Sequence, residues 1–247
     1  MKRVLILIPA RYQSSRFPGK PLAPLKNKPL IQHVVEKASE VSIVNGEIEV
    51  AVVTDHSQIE KTCLAFGAKV IRVDDDTPSG TDRIFLAWDR NPQFKDVDLI
   101  VNVQGDEPFI SPNDLTELIE EHLASQWDIG TMVREISGED ADSPNLVKSI
   151  YSEASKKCLY FSRAKIPYNR DNRETKYFGH VGVYSYLPKS LQRFCELPPG
   201  NFEQSECLEQ LRALEAEMTI GAIKINTQLI GVDTPEDLKK AEEVLHD

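Results

Sequence analysis

Three cations share one short loop near the start of the chain. Arg11, Arg16 and Lys20 are spaced five and four residues apart, with two serines and a glycine between them. Fixed cations on a glycine-containing turn, together with the backbone N–H groups of that turn, suit the β- and γ-phosphates of a nucleoside triphosphate. An isolated trio of this kind could equally be a solvated basic loop, so its position in the fold matters.

Two adjacent carboxylates follow an apolar run further along the chain. Residues 99–104 are followed directly by Gly105-Asp106-Glu107-Pro108. Mg²⁺ takes oxygen ligands, usually one or two carboxylates plus phosphate and water, so Asp106 is a candidate magnesium ligand and a second acid is expected. We choose Asp233, just before a helix start, although a residue flanking an N-cap is the alternative interpretation.

The elements that must position these groups have an α/β pattern. Short β-branched runs alternate with segments of helical period, which indicates a mostly parallel sheet covered on both faces. The basic loop and the acid pair each follow a predicted strand, and open α/β sheets bind ligands at the carboxyl ends of their strands. The predicted strands of this part are 4–8, 49–53, 69–73 and 99–103.

A polar turn, Ser79-Gly80-Thr81, opens a predicted helix. Its hydroxyl and backbone groups could contact the edge of a base, while an ordinary helix cap is the alternative. A second helix is expected from Pro112 to about residue 126, because serine and proline precede an acid in its first turn.

The middle of the chain changes character. Predicted strands 146–151, 158–162 and 179–186 suggest an antiparallel extension, with a mobile polar loop at 169–176. In the last strand a period of two places His180, Gly182, Tyr184 and Tyr186 on one face, which could form the floor of a ligand site or be purely structural.

Helices are expected at 188–195 and 206–217, before a strand at 220–225 and a final helix. In the helix at 206–217, Cys207, Leu208, Leu211 and Leu214 form an apolar stripe. This pattern places Glu209 on the solvent side.

The bulk composition excludes several classes of protein. The 247 residues carry a net charge of −10, which disfavours nonspecific binding to nucleic acid or to anionic lipid, yet the first 35 positions hold seven basic residues and no acid. No apolar run is long enough for a membrane span or a secretory signal. The four cysteines form no CxxC pair, so we expect neither a zinc knuckle nor a disulfide framework, and a reducing cytoplasm fits best.

Taken together, these blocks resemble one family from end to end, the 3-deoxy-manno-octulosonate (Kdo) cytidylyltransferases. Any single block also occurs in other sugar nucleotidyltransferases, whereas the full set in this order is specific. The matching blocks are Ile8-Pro9-Ala10-Arg11-Tyr12, Ser15-Arg16-Phe17-Pro18-Gly19-Lys20-Pro21-Leu22, Val53-Thr54-Asp55, Ser79-Gly80-Thr81-Asp82-Arg83, Val103-Gln104-Gly105-Asp106-Glu107-Pro108, Tyr160-Phe161-Ser162-Arg163, His180-Val181-Gly182-Val183-Tyr184, Leu208-Glu209-Gln210-Leu211-Arg212 and Val232-Asp233-Thr234-Pro235-Glu236-Asp237.

The resemblance implies a magnesium-dependent transfer of CMP from CTP to Kdo for lipopolysaccharide synthesis, by a cytoplasmic homodimer without nucleic-acid or membrane partners. It implies a Rossmann-like, glycosyltransferase-A-type α/β fold with a mixed, mostly parallel sheet and an inserted antiparallel lobe. We therefore expect one domain over residues 1–247, with the nucleotide and metal part at about 1–135 and 220–247. The sugar-acid and dimer lobe is expected at about 140–217.

The resemblance also assigns roles to residues. Arg11 and Lys20 would bind the triphosphate with help from Arg16, and Asp106 and Asp233 would hold Mg²⁺. Catalysis is expected to involve Lys20, Arg11 and Asp106. The cytidine would lie beside Ser79, Gly80 and Thr81, while the Kdo pocket would be lined by Gln104, Arg163, His180, Tyr184, Glu209 and Gln210, which reverses the solvent-side interpretation of Glu209.

Two positions depart from the family pattern. Asp74 stands where several relatives have an arginine near the base, and Leu187 replaces an arginine often seen after the His/Tyr strand. Alternatives are a cytidylyltransferase for a close sugar acid such as 8-amino-Kdo, a nucleotidyltransferase for another acidic sugar or base, or a nucleotide-sugar-binding regulator. The paired acids argue against a pure binding protein, which needs no metal ligands.

Overall fold

The computed structural model describes residues 1–13, 16–171, 173–227 and 229–245. Ser14 and Ser15 of the predicted phosphate loop, and Asn172 of the predicted mobile loop, lie outside the described residues. The chain forms two compact units, Met1–Thr116 with Thr227–Asp247, and Glu117–Asn226. The prediction of one domain with a lobe at about 140–217 stays a prediction.

The strands of the described residues follow the chain in order. They are β1 (Lys2–Ala10), β2 (Pro24–Leu25), β3 (Lys28–Pro29), β4 (Gly46–Thr54), β5 (Lys69–Arg72), β6 (Leu99–Asn102), β7 (Ile129–Ile136), β8 (Lys148–Ser152), β9 (Lys157–Ser162), β10 (Tyr177–Tyr186) and β11 (Ile220–Ile225).

The α-helices of the same residues are of short to medium length. They are α1 (Leu30–Ser39), α2 (Ser57–Ala65), α3 (Gly80–Asp89), α4 (Pro112–Ala124), α5 (Pro188–Glu196), α6 (Asn201–Glu206), α7 (Gln210–Glu215) and α8 (Pro235–Val244). Within the described part of the chain, no helix is both long and apolar enough to cross a bilayer.

The sheet of the first unit consists of parallel strands in the order β5-β4-β1-β6. Strand β1 is buried from Val4 to Ala10, as expected of a parallel strand covered on both faces. Its neighbours β4 and β6 lie on opposite sides of it, so the strand order reverses beside β1. Ligands of open α/β sheets bind in the crevice at such a switch point.

In the second unit, β7 pairs with β11 in parallel and with β10 antiparallel. Strand β8 pairs antiparallel with both β9 and β10. Strand β10 has an irregular register between Val181 and Tyr184. His180, Tyr184 and Tyr186 nevertheless share one face of the strand, as expected. The ring centroid of Tyr184 lies 5.4 Å from that of His180 and 6.1 Å from that of Tyr186.

Most predicted elements are confirmed within a few residues at each end, and two differences stand out. Strand β7 (Ile129–Ile136) was not predicted from the sequence. The predicted helix 206–217 is wrong: α6 ends at Glu206, Cys207 adopts a left-handed conformation with φ of 52°, and α7 begins at Gln210. The apolar stripe is therefore interrupted and Cys207 is exposed, while Leu208 and Leu211 are buried.

Candidate active site

A cleft of about 360 Å³ lies at the carboxyl ends of β1 and β6. This is the switch point of the first unit, where the loops after the two strands diverge. The cleft is lined by Pro9, Ala10, Arg11, Gln13, Arg16, Lys20, Pro21, Gly80, Gln104, Gly105, Asp106 and Asp233. The predicted cations and both predicted metal ligands thus line one cleft.

Lys20 lies at the centre of the charged groups. Its Nζ is 2.5 Å from Oδ2 of Asp106 and 3.1 Å from Oδ1 of Asp233, and its side chain is only 13% exposed. Burial alone would lower the pKa of Lys20, but the charges and hydrogen bonds of Asp106 and Asp233 outweigh it, so the pKa is raised. The ammonium is therefore a permanent cation between two carboxylates.

The loop geometry explains how Lys20 reaches this position. Gly19 has φ of 71°, a conformation that glycine adopts without strain, and its N–H donates to the carbonyl of Tyr12. Lys20 then begins a single turn of 3₁₀-helix. The ring of Tyr12 stacks on His56 at 4.0 Å between centroids, which supports the other side of the loop.

The two aspartates are held by main-chain bonds that do not involve Lys20. The N–H of Val232 donates to the carbonyl of Asp106 at 2.9 Å. Thr234 caps α8 in a reciprocal arrangement with Asp237, whose carboxylate also accepts from the N–H of Asp233. The main chain at Asp106 and at Asp233 is thus held by bonds that do not depend on Lys20.

Two further cations flank this centre. Arg16 forms an ion pair of 3.1 Å with Asp233, and both side chains are substantially exposed. Arg11 donates to the hydroxyl of Thr77 at 3.0 Å. Burial, followed by the nearby charge of Arg83, lowers the pKa of Arg11, although an arginine stays protonated under ordinary conditions.

The turn predicted to border the cytidine is divided between two roles. Ser79 is the N-cap of α3, since its hydroxyl accepts from the N–H of Asp82 at 3.1 Å. Thr81 is buried, whereas Gly80 lines the cleft. A Cβ on Gly80 would lie 3.2 Å from Cγ of Pro9, so the missing side chain keeps the cleft open.

The donor chemistry of the cleft fits Mg²⁺ carried by a nucleotide. Asp106 and Asp233 approach one nitrogen closely enough to share a cation. Among the described residues, no group of three or more His, Cys, Asp or Glu side chains is placed to hold a metal. Two carboxylates suffice where phosphate oxygens and water complete the shell.

The remaining predicted residues, apart from Gln104, lie in the second unit. Nε2 of His180 lies 3.0 Å from the hydroxyl of Thr131, and the ring centroids of His180 and Phe161 are 5.0 Å apart. Burial lowers the pKa of His180 to about 3. Burial, then the charge of Glu209, raises the pKa of Tyr184 well above its usual value. Glu209 is half-buried and so is not a fully solvated side chain, and its neighbour Gln210 is buried.

Arg163 is held by main-chain carbonyls. Its guanidinium donates to the carbonyls of Glu206 at 2.8 Å, Pro144 at 3.2 Å and Cys207 at 3.4 Å. Sequence reasoning missed Glu206, and in the first unit it missed Gln13 and Thr77. Gln13 could have been found from its place within the basic loop, whereas the roles of Thr77 and Glu206 depend on contacts with distant segments.

Comparison with known proteins gives a consistent result. The profile of a cytidylyltransferase family matches residues 5–220. The 8-amino-3,8-dideoxy-manno-octulosonate cytidylyltransferases of Shewanella sp. (strain W3-18-1) and Shewanella putrefaciens (strain CN-32 / ATCC BAA-453) are each 44% identical to this chain over 245 residues, 98% of both chains.

Solved structures agree with the sequence comparison. The structure of a CMP:2-keto-3-deoxy-manno-octonic acid synthetase complexed with CTP has a TM-score of 0.91 and 39% identity, with 98% of each chain covered. A cytidylyltransferase from Leptospira borgpetersenii serovar Hardjo-bovis (strain JB197) has a TM-score of 0.63 at 16% identity, covering 98% of this chain and 86% of its own, which shows the fold alone. The fold is thus of the nucleotidyltransferase α/β type with a mixed sheet.

Proposed function

Because this chain belongs to the cytidylyltransferase family and is closely related to the CMP-Kdo synthetases, we propose that it transfers CMP from CTP to the anomeric hydroxyl of a Kdo-type sugar acid. The products are the CMP-sugar and pyrophosphate. The observation that carries the proposal is the position of Lys20, which lies between Asp106 and Asp233 in a cleft at the switch point of the first unit.

In this mechanism the chain positions the triphosphate and balances its charge, with no covalent enzyme intermediate. Arg11 and Lys20 hold the phosphates, and Arg16 assists from the exposed side. Lys20 leaves the carboxylates when CTP enters and donates to the α-phosphate, where negative charge accumulates as the sugar hydroxyl attacks in line.

Asp106 and Asp233 are freed by this exchange and would hold Mg²⁺. When bound, Mg²⁺ supplies a Lewis acid that neutralises the phosphates and lowers the pKa of the attacking hydroxyl. The bond of Val232 and the cap of α8 fix the main chain that carries these two carboxylates. Gly80 lies beside the cytidine, with Ser79 and Thr81 fixing the start of α3.

The second unit supplies the sugar-acid contacts. Arg163 carries the positive charge for the sugar carboxylate. His180 is neutral near pH 7 because of its lowered pKa, so it acts as a hydrogen-bonding group and not as a cation. Tyr184, Glu209 and Gln210 complete this set with hydroxyl, carboxylate and amide groups.

The acceptor that the relatives favour is 8-amino-Kdo, because the proteins at 44% identity are named for it. Kdo is the second candidate, favoured by the solved structure at 39% identity. We also propose that the enzyme is a homodimer with an inserted lobe and works in the cytoplasm for lipopolysaccharide synthesis. The cytoplasmic proposal is supported by the four cysteines, all of which are free thiols.

Pyrophosphate release tests the proposal. The purified protein is incubated with CTP, UTP or GTP against Kdo, 8-amino-Kdo or sialic acid, with and without Mg²⁺. We expect release only with CTP, a Kdo-type acid and Mg²⁺, and a higher kcat/KM for the 8-amino acid. No release with any sugar acid would reject the transfer and favour a nucleotide-sugar-binding regulator.

A further inference from the structure

Glu206, the last residue of α6, makes contacts that no family motif predicts. One oxygen of its carboxylate accepts from the hydroxyl of Ser162 at 2.6 Å. The other accepts from the main-chain N–H of Arg163 at 2.9 Å. The carboxylate thus binds the end of β9, more than forty residues away in the chain.

Arg163 is fixed at three points, one of them by the carboxylate of Glu206. Its main-chain N–H donates to the carboxylate of Glu206, and its guanidinium donates to the main-chain carbonyls of Glu206 and Cys207. Its own carbonyl accepts from Nζ of Lys148 at 2.5 Å, and this lysine, which is fully buried, also donates to the carbonyl of Ser143. Neither the main chain nor the side chain of Arg163 is left to rotate freely.

The hydrogen-bond partners of this guanidinium are neutral groups. Within the described part of the chain, its hydrogen bonds all go to main-chain carbonyls. The carboxylate of Glu206 is engaged by Ser162 and a backbone N–H instead. Carbonyl acceptors satisfy N–H donors without themselves carrying a negative charge, so the guanidinium of Arg163 forms no direct ion pair within the described residues and can pair with an anion.

The same contacts hold the turn between α6 and α7. Cys207 has φ of 52°, an unusual conformation for a residue other than glycine, and its carbonyl accepts from Arg163. Glu209 and Gln210 follow within three residues. The segment that carries Glu209 and Gln210 is therefore linked to Arg163 through the carbonyl of Cys207.

We propose that Glu206 is a positioning residue of the sugar-acid site, which fixes Arg163 so that its charge faces the carboxylate of the sugar and which holds Glu209 and Gln210 in register. This inference rests on the proposed cytidylyl transfer. Glu206 itself does not contact the substrate in this proposal. Its substitution should weaken the binding of the sugar acid and leave the binding of CTP nearly unchanged.

The test compares two matched glutamates. Glu215 resembles Glu206 in that its carboxylate accepts from two donors, here the N–H groups of Asn201 and Phe202 at the other end of α6. We expect E206Q to raise the KM for Kdo or 8-amino-Kdo about 10-fold or more, because misplaced groups weaken binding steeply. The KM for CTP should change less than about 2-fold, and E215Q should leave both constants near those of the wild type.

A double variant separates positioning from general damage. In an R163K background, E206Q should add little further increase in the KM for the sugar, because both changes disrupt one unit. Fully additive effects, an equal rise in the KM for CTP, or an unchanged sugar KM in E206Q would each overturn the inference. If E206Q does not fold, Ser162→Ala removes one contact of the same carboxylate, and an unchanged sugar KM there overturns it as well.

The outcome is distinguishable from failure of the proposed function. A wild-type protein that releases no pyrophosphate with any sugar acid removes the transfer reaction and the inference together. A fully active wild type with an unaffected E206Q removes the inference alone.

Discussion

Lys20 of the basic loop forms an ion pair with Asp106, which follows β6. Nζ of Lys20 lies 2.5 Å from Oδ2 of Asp106, although the two residues are 86 positions apart and follow different strands of the first sheet. Each is positioned by its own loop, the lysine by the turn at Gly19 and the aspartate by its bond to Val232. The pair therefore joins the proposed phosphate-binding cation to one of the proposed metal ligands in one cleft.

The first prediction concerns Lys20. If Lys20 donates to the α-phosphate in the transition state, Lys20→Ala should lower kcat by about 10²-fold or more. Steady-state kinetics of pyrophosphate release measure this. Lys28→Ala is the control, since Lys28 is exposed and pairs with Glu36 away from the cleft, and it should leave kcat unchanged. A raised KM with a normal kcat in the Lys20 variant would remove Lys20 from the chemical step.

The second prediction concerns acid stability and His122. Burial lowers the pKa of His122 from 6.5 to about 4, while its Nε2 faces the carbonyl of Trp127 and its Nδ1 the hydroxyl of Ser185. Below pH 6.5 the unfolded chain binds a proton that the folded protein does not accept until about pH 4. The free energy of unfolding should therefore fall as the pH drops through this window.

His122 alone should cost the wild type about 2 kcal/mol of stability between pH 7 and pH 5. Urea unfolding of the wild type and of His122→Gln at both pH values measures the difference. Glutamine does not titrate, so the variant should lose about 2 kcal/mol less than the wild type over this interval. Identical losses in the two proteins would show that His122 does not carry the effect.

Two arginines, Arg83 within α3 and Arg90 at its carboxyl end, should differ in what they contribute to stability. Arg83 is buried, pairs with Asp55 at 2.8 Å and donates to the carbonyl of Val73 at 2.6 Å. Arg83→Met should destabilise the protein by about 3 kcal/mol, because it leaves a carboxylate and a carbonyl without their donor. Arg90, which pairs with Asp75 in an exposed position, is the control, and its substitution by Met should change the melting temperature little. Equal shifts in the two variants would contradict this account.

Much of the first unit could be predicted from the sequence, because buried parallel strands are continuous apolar runs that end in recognisable polar loops. The place of Asp106 at the cleft followed from the rule that the carboxyl ends of parallel strands share one edge of a sheet. Asp233 follows no described strand of the first unit and was chosen instead for its place before a helix start. The break at Cys207 could not be predicted, because the left-handed position carries no glycine or asparagine to mark it.

Other features depend on packing between distant segments. Strand β7 (Ile129–Ile136) mixes glycine, threonine and charged residues with apolar ones and has no clear alternation. Glu206 has the sequence context of a solvated helix end, and only the fold brings β9 to its carboxylate. Ser79 was predicted to open a helix, and its hydroxyl does cap α3, which is the structural alternative to a contact with the base.

The most direct test of the account is magnesium-dependent pyrophosphate release from CTP and a Kdo-type acid by D106N and D233N. Asparagine keeps the size of each side chain, and the cap of α8 by Thr234 and Asp237 is untouched. Each substitution should lower kcat by about 10²-fold or more, with a higher Mg²⁺ concentration needed for half-maximal rate. Wild-type turnover and wild-type magnesium dependence in either variant would contradict the claim that these two aspartates share the metal of the reaction.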